Sequence, residues 1–369
     1  MSRRSARTLA LTALSLAALS IAAPACDVVE EDAFGGETML RPSGPTGGIT
    51  FNTSNWVSAA SRDIYEFDIN GAWYTNGYGF ENRLDGIIFD DPEYGPISTD
   101  PANPPPPTQP RAVLASTPNL EVRVLKQGAP PKIYSGPALL GLELSFQTRY
   151  QGGTQYATRV RVTDVSTPPV GGDMYELHKL NLQTNELLAP ICETSTGGDR
   201  NIRVYGDISI DVQTGAVTDV PGVFHLACTA SAPGKSALYG YTPHDGPDRF
   251  RLSNRVIRAD YCADGYPYTY PGNSLTMRDN FSPGNEGTSL ADVYAELDGM
   301  ALEAMWSTNG ILCVDTPRVD TLTQEDVICP IKHMDDGAVV HNWRPPPCDG
   351  FVDPDPGATR FYSLTEVSE

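Results

Sequence analysis

The sequence predicts a mainly β protein: antiparallel, sandwich- or barrel-like regions with one or two short helices and a disulfide-stapled C-terminal half. Three observations carry that prediction. Many segments alternate apolar and polar residues at period two, as in Leu120-Glu121-Val122-Arg123-Val124-Leu125, the pattern of a half-buried antiparallel strand. Turn residues recur between those segments, with 34 glycines and 32 prolines. Six of the seven cysteines, Cys192, Cys228, Cys262, Cys313, Cys329 and Cys348, lie beyond residue 190, an even set suited to three disulfides.

The chain opens with a different signature. Arg3, Arg4 and Arg7 precede an apolar run from Leu9 to Ala23 and the small-residue triplet Ala23-Pro24-Ala25, which together read as an export signal over residues 1–25. Cys26 follows at once, so cleavage before a lipid-bearing cysteine is the expectation. Ala23 stands where a lipobox has leucine, and ordinary secretion with a free Cys26 is the alternative. Parity favours the lipid, because removing Cys26 leaves six cysteines to pair. Residues 26–50, with Glu30-Glu31-Asp32 and Pro42-Ser43-Gly44-Pro45, are too polar and too rich in Gly and Pro to bury a core and read as a flexible tether.

An N-terminal antiparallel region is expected over residues 51–168. Asn70-Gly71, Asn76-Gly77 and Asp85-Gly86 read as hairpin turns of a meander. Trp56, Tyr65, Phe67, Trp73, Tyr74, Tyr78 and Phe80 read as its core and cross-strand pairs in preference to a carbohydrate-stacking platform. The proline run Pro104-Pro105-Pro106-Pro107 cannot donate to a ladder and marks a loop. Strands resume at residues 120–125, 140–146 and 156–162, then Pro168-Pro169 and Gly171-Gly172 interrupt them.

Beyond that interruption, residues 174–178, 201–205, 208–212 and 223–228 again read as strands. Helical spacing appears over residues 253–259 and over 289–297, where Ser289 caps a face of Leu290, Val293, Tyr294 and Leu297. Residues 301–306 and 311–314 read as a hairpin about Asn309-Gly310. The final stretch, from Pro345 onward, is rich in Pro and Asp, with Cys348 as its staple and residues 353–369 as a tail.

Charge excludes one class of partner. The formal net charge is −20, and removing the signal takes away three arginines and no acid, moving it to about −23 and opposing any phosphate backbone. Nucleic acid is therefore not an expected partner, and the membrane enters only through the N-terminal lipid. No apolar run beyond the signal reaches the 18 residues or so that a spanning helix needs.

Chemistry is sparser. A nucleophilic Cys262 would need a base, for which His225 and His244 are available with Asp245 or Asp248 as orienter, but oxidation in an exported chain removes the thiolate. No cysteine or histidine spacing suits zinc, and Asp349, Asp353 and Asp355 depart from a calcium loop. The Pro233-Gly234-Lys235-Ser236 stretch lacks the upstream glycine of a phosphate-binding loop. No cofactor, metal or catalytic residue is therefore assigned.

One stretch identifies the chain better than any of these. Ala259-Asp260-Tyr261-Cys262, after Arg258 and before Asp264-Gly265, has Phe224-His225-Leu226-Ala227-Cys228 upstream and Glu303-Ala304-Met305-Trp306 and Leu312-Cys313-Val314 downstream. Over residues 172–352 this resembles the ADYC-domain family of exported bacterial proteins. The resemblance implies no established activity. It does imply cysteines just after Gly234-Lys235 and nine residues before Cys262, where this chain has Ser236 and Ser253, two positions consistent with mutual partners in relatives. Together these readings describe an exported, lipid-anchored envelope protein acting as a non-catalytic surface or binding module of unknown ligand. An extracytoplasmic hydrolase using Cys262 or a carboxylate pair is the alternative.

Overall fold

A computed structural model describes residues 53 and 55–366 except 117–118, 169–171, 195–199, 271–272, 274, 283–284 and 298. The expected signal, Cys26 and tether lie outside the described residues. In chain order the first strands are β1 (Glu66–Asp68), β2 (Tyr74–Thr75), β3 (Phe80–Asp91), β4 (Gly95–Thr99), β5 (Arg111–Ser116), β6 (Leu120–Leu125) and β7 (Lys132–Ser135). They are followed by β8 (Glu143–Tyr150), β9 (Tyr156–Ser166), β10 (Met174–Leu180), β11 (Leu187–Pro190), β12 (Ile202–Ile210) and β13 (Val217–Cys228). Helices α1 (Ala232–Leu238) and α2 (Pro247–Arg258) lead to β14 (Thr276–Asp279) and α3 (Leu290–Ala295). Last come β15 (Met300–Ser307), β16 (Gly310–Val314), β17 (Cys329–His333), β18 (Val339–Trp343) and β19 (Phe361–Glu366).

A ten-stranded sheet dominates, in the order β1-β13-β12-β10-β9-β8-β3-β2, with β11 beside β10 and β4 beside β3. Every pairing in it is antiparallel. The sheet curls until β1 comes back alongside β3, where Asn82 Nδ2 donates to the Glu66 carbonyl at 3.0 Å, so it is a nearly closed barrel. Alternation fills the interior with Phe67, Leu84, Phe146, Val160, Val204 and Phe224. The three-stranded sheet β5-β6-β7 lays Leu114, Val122 and Val124 into the same core. Strands on the two sides of the Pro168 to Gly172 interruption belong to one sheet, since Ser166 of β9 pairs with Met174 of β10.

A second, four-stranded sheet, β14-β19-β15-β16, carries α2 and α3 and has its own core around Trp306, Ile311, Val256 and Phe361. The hairpin of β15 and β16 forms as the sequence indicates, and Ser289 caps α3 with a full capping box.

Four details differ from the reading of the sequence, each for a physical reason. Asp85-Gly86 is no turn but a bulge inside the twelve-residue β3, a use of strand glycine that a turn dipeptide does not distinguish. Residues 201–205 and 208–212 are not separate strands, because β12 passes through a bulge between Gly206 and Ile208. Helix α2 begins at Pro247, six residues before the helical spacing suggested, and α1 lies where a stray Gly-Lys-Ser triplet was read. Proline stands in the first turn of both helices, second in α1 and first in α2, where its N–H would have no partner in any case. Finally, the stretch that reads as a tail contains β19, buried from Phe361 to Thr365 between β14 and β15.

Candidate functional site

The stretch from Arg258 to Gly265 is built as the end of α2. The amide of Ala259 bonds to the Val256 carbonyl and that of Asp260 to the Arg255 carbonyl, which is the Schellman pattern. Ala259 takes the left-handed position at φ 49°, where glycine is usual, with its methyl group buried in the second core. The turn closes when Gly265 N–H donates to both carboxylate oxygens of Asp260, each at 3.2 Å. Gly265 has φ 87°, and a Cβ there would lie 2.3 Å from the Gln213 carbonyl oxygen, so the close approach to the β12–β13 turn admits no side chain.

Tyr261 points inward and is fully buried, ring against Tyr268 and Trp306. Its hydroxyl donates to Glu303 Oε1 at 2.7 Å, and Glu303 Oε2 takes two N–H bonds from Arg318, at 2.6 and 3.1 Å. The same guanidinium donates to the carbonyls of Val256 and Ile257 in the last turn of α2, adding a second bond to the former. Burial and the Glu303 carboxylate raise the Tyr261 hydroxyl well above its ordinary range, so it stays a donor.

Cys262 bonds to Cys329 at the start of β17. The other bridges are Cys192–Cys228 and Cys313–Cys348, so all six cysteines expected to pair do so. Around the first bridge lies a buried charge cluster. Burial pushes the Asp260 carboxyl up to about 6, with Arg255 and Arg258 opposing that rise. Lys332, on β17, donates to the Asn309 carbonyl, and burial lowers its ammonium to about 7. Arg258 donates to the Gly265 carbonyl at 2.7 Å and lies over the ring of Trp56, 4.6 Å from its centroid.

The model of the ADYC domain matches residues 136–320. The chain belongs to the ADYC domain family. No curated protein matches the chain, and no solved structure does. The resemblance placed family cysteines at two positions held here by Ser236 and Ser253, and the ADYC domain brings those serines together. Their hydroxyl oxygens are 2.6 Å apart, buried between α1 and α2, so a hydrogen bond joins the helices where two cysteines would be in reach of each other.

The candidate bases engage elsewhere in the ADYC domain. His225 Nδ1 lies 2.9 Å from Glu66 Oε1, which also accepts from Ile210 N and Ser209 Oγ. His244 bonds to the Gly206 carbonyl, and Asp245 accepts from Thr242. Asp248 sits in the first turn of α2. In the acidic C-terminal stretch, Asp353 holds Arg360 with two bonds of 3.0 Å, and the Asp355 carbonyl takes a third. Among the described residues no group of three or more His, Cys, Asp or Glu is placed to hold a metal ion.

Sequence reasoning missed Arg318 and Lys332 altogether. An isolated cation in a loop or strand carries no periodic signal. Only the fold shows that one meets Glu303 and the other the Cys262–Cys329 corner.

Proposed function

We propose that this ADYC protein is an exported, lipid-anchored envelope component acting as a non-catalytic surface or binding module. The observation that carries the proposal is the Cys262–Cys329 bridge: the motif sulfur is spent in a disulfide, as in a chain matured in an oxidising compartment. With no thiolate, Cys262 offers no nucleophile, and Asp260 and Tyr261 are both committed to holding the end of α2. The buried carboxylates Glu66 and Glu303 are likewise engaged, by His225 and Arg318. Among the described residues no helix is long and apolar enough to cross a membrane. In this reading the lipid on Cys26 provides the attachment. Metabolic labelling with palmitate tests the anchor: the expected result is label on the wild type and none on Cys26→Ser, with the variant recovered in the soluble fraction. Unlabelled wild type overturns the anchor and leaves secretion.

A further inference from the structure

We propose that the cleft between the proline run and the three-stranded sheet binds a small organic acid, an apolar body carrying one carboxylate. This deepens the binding-module reading and rests on it. The cleft has a volume of about 320 Å³, and Pro107, Gln127 and Pro131 at its edge are exposed, so it opens to solvent. Register builds its floor. Arg111 of β5 pairs with Leu125 of β6, while their neighbours Ala112 and Val124 lie in the barrel core, so Arg111 and Leu125 share the outer face of the sheet. Pro107, Ala129 and Pro131 complete the apolar wall. The two sides are pinned together: Gln127 N–H donates to the Pro107 carbonyl at 2.7 Å, and Ala129 N–H to the Lys126 carbonyl at 3.1 Å. Prolines with fixed φ hold their side of the cleft with little left to order on binding.

Charge selects the ligand. The lining holds two cations, Arg111 and Lys126, both half-buried, and no acid. Among the described residues the Arg111 guanidinium has no ion pair, hydrogen bond or ring contact, and the Lys126 ammonium has only the Tyr94 ring, 4.7 Å from its centroid. The neighbouring cations are compensated. Lys132, which also lies against the Tyr94 ring, is 3.6 Å from Asp91 and pairs with Glu93, and Arg123, on the same outer face as Leu125, pairs with Glu121 at 2.9 Å. Unpaired positive charge is thus concentrated at the cleft, in a chain whose net charge is −20. A guanidinium takes a carboxylate through two parallel N–H bonds, and the apolar body of the acid then covers Leu125 and the prolines. A bare phosphate would meet the same cations and leave the apolar walls uncovered, so the walls favour the acid.

Saturation-transfer NMR on the chain with its disulfides intact tests this, with hexanoate, benzoate and N-acetyl-L-leucine as carboxylate probes, hexanol as the uncharged control and inorganic phosphate as competitor. At least one carboxylate is expected to bind, and hexanol to bind at least about tenfold more weakly. Arg111→Gln should weaken the acid about tenfold or more with the melting temperature unchanged, because its guanidinium has no partner in the fold to lose. Lys126→Gln should weaken it less. Three silent carboxylates, affinity indifferent to Arg111→Gln, or displacement of the acid by an equal concentration of phosphate would each overturn the proposal. The two readings fail separately: silent carboxylates with Cys262 still in its disulfide remove the cleft alone, whereas an alkylated Cys262 removes the non-catalytic reading alone.

Discussion

Two buried polar clusters of this protein face opposite demands. Tyr261, Glu303 and Arg318 close on one another and on the last carbonyls of α2, with both charges fully buried and mutually bonded. Asn82 and Thr148, equally buried in the barrel, leave Asn82 Oδ1 and Thr148 Oγ1 without a hydrogen-bond partner among the described residues. The first arrangement spends its polar groups on the fold; the second leaves two of them unpaired. The difference teaches that the residues naming this family mark a structural joint whose buried charges are all bonded, whereas the barrel interior carries polar atoms that no such network takes up.

The sharpest way to break the comparison is at the joint. Arg318→Met should leave the Glu303 carboxylate buried without its cation and cost about 3–5 kcal/mol, read as a fall in the urea midpoint. A chain that unfolds at the wild-type midpoint would show the network to be dispensable. Next in size is a gain. Ser236→Cys with Ser253→Cys should form a fourth disulfide between α1 and α2, closing a short loop and adding up to about 3 kcal/mol. Free thiols in the folded double variant would contradict the contact between those positions.

The charge cluster predicts an effect of pH with two arms. Asp260 has a folded pKa raised from 3.8 to about 6, so its contribution is fully present below 3.8 and is lost as pH rises through 6. Lys332 has a folded pKa lowered from 10.5 to about 7. The unfolded chain therefore binds the extra proton between those values, and stability recovers as pH rises from 7 toward 10.5. Chemical denaturation across that range should show a minimum near pH 6–7. Lys332→Met should flatten the alkaline arm and Asp260→Asn the acidic one; arms unchanged in both variants would place the titration elsewhere. The smallest effect belongs to the barrel cluster, where Thr148→Val should change stability by about 1 kcal/mol or less, in the stabilising direction.

Much of this fold was legible in the sequence, because strands with one face in a core announce themselves by alternation. Leu120 to Leu125, buried at every second residue, is a direct instance. The Ser289 cap was equally local. Barrel closure was not legible, since it depends on Glu66 finding His225 and on β1 returning to β3. The burial of β19 behind a Pro- and Asp-rich stretch depended on long-range pairing as well. At the motif, Cys262 was readable as a half-cystine from parity and compartment, but its partner was not, because Cys262 and Cys329 are 67 residues apart. The unpaired atoms were invisible for a similar reason: an asparagine and a threonine in separate strands meet only once the register sets them face to face.

The account stands most directly on the state of Cys262. Alkylation of the native protein followed by non-reducing peptide mapping should find no label on any of the six paired cysteines and a cross-linked peptide joining Cys262 to Cys329. An alkylated Cys262 in the folded protein, or its sulfur bonded to any other cysteine, would contradict the reading of the motif as a structural joint.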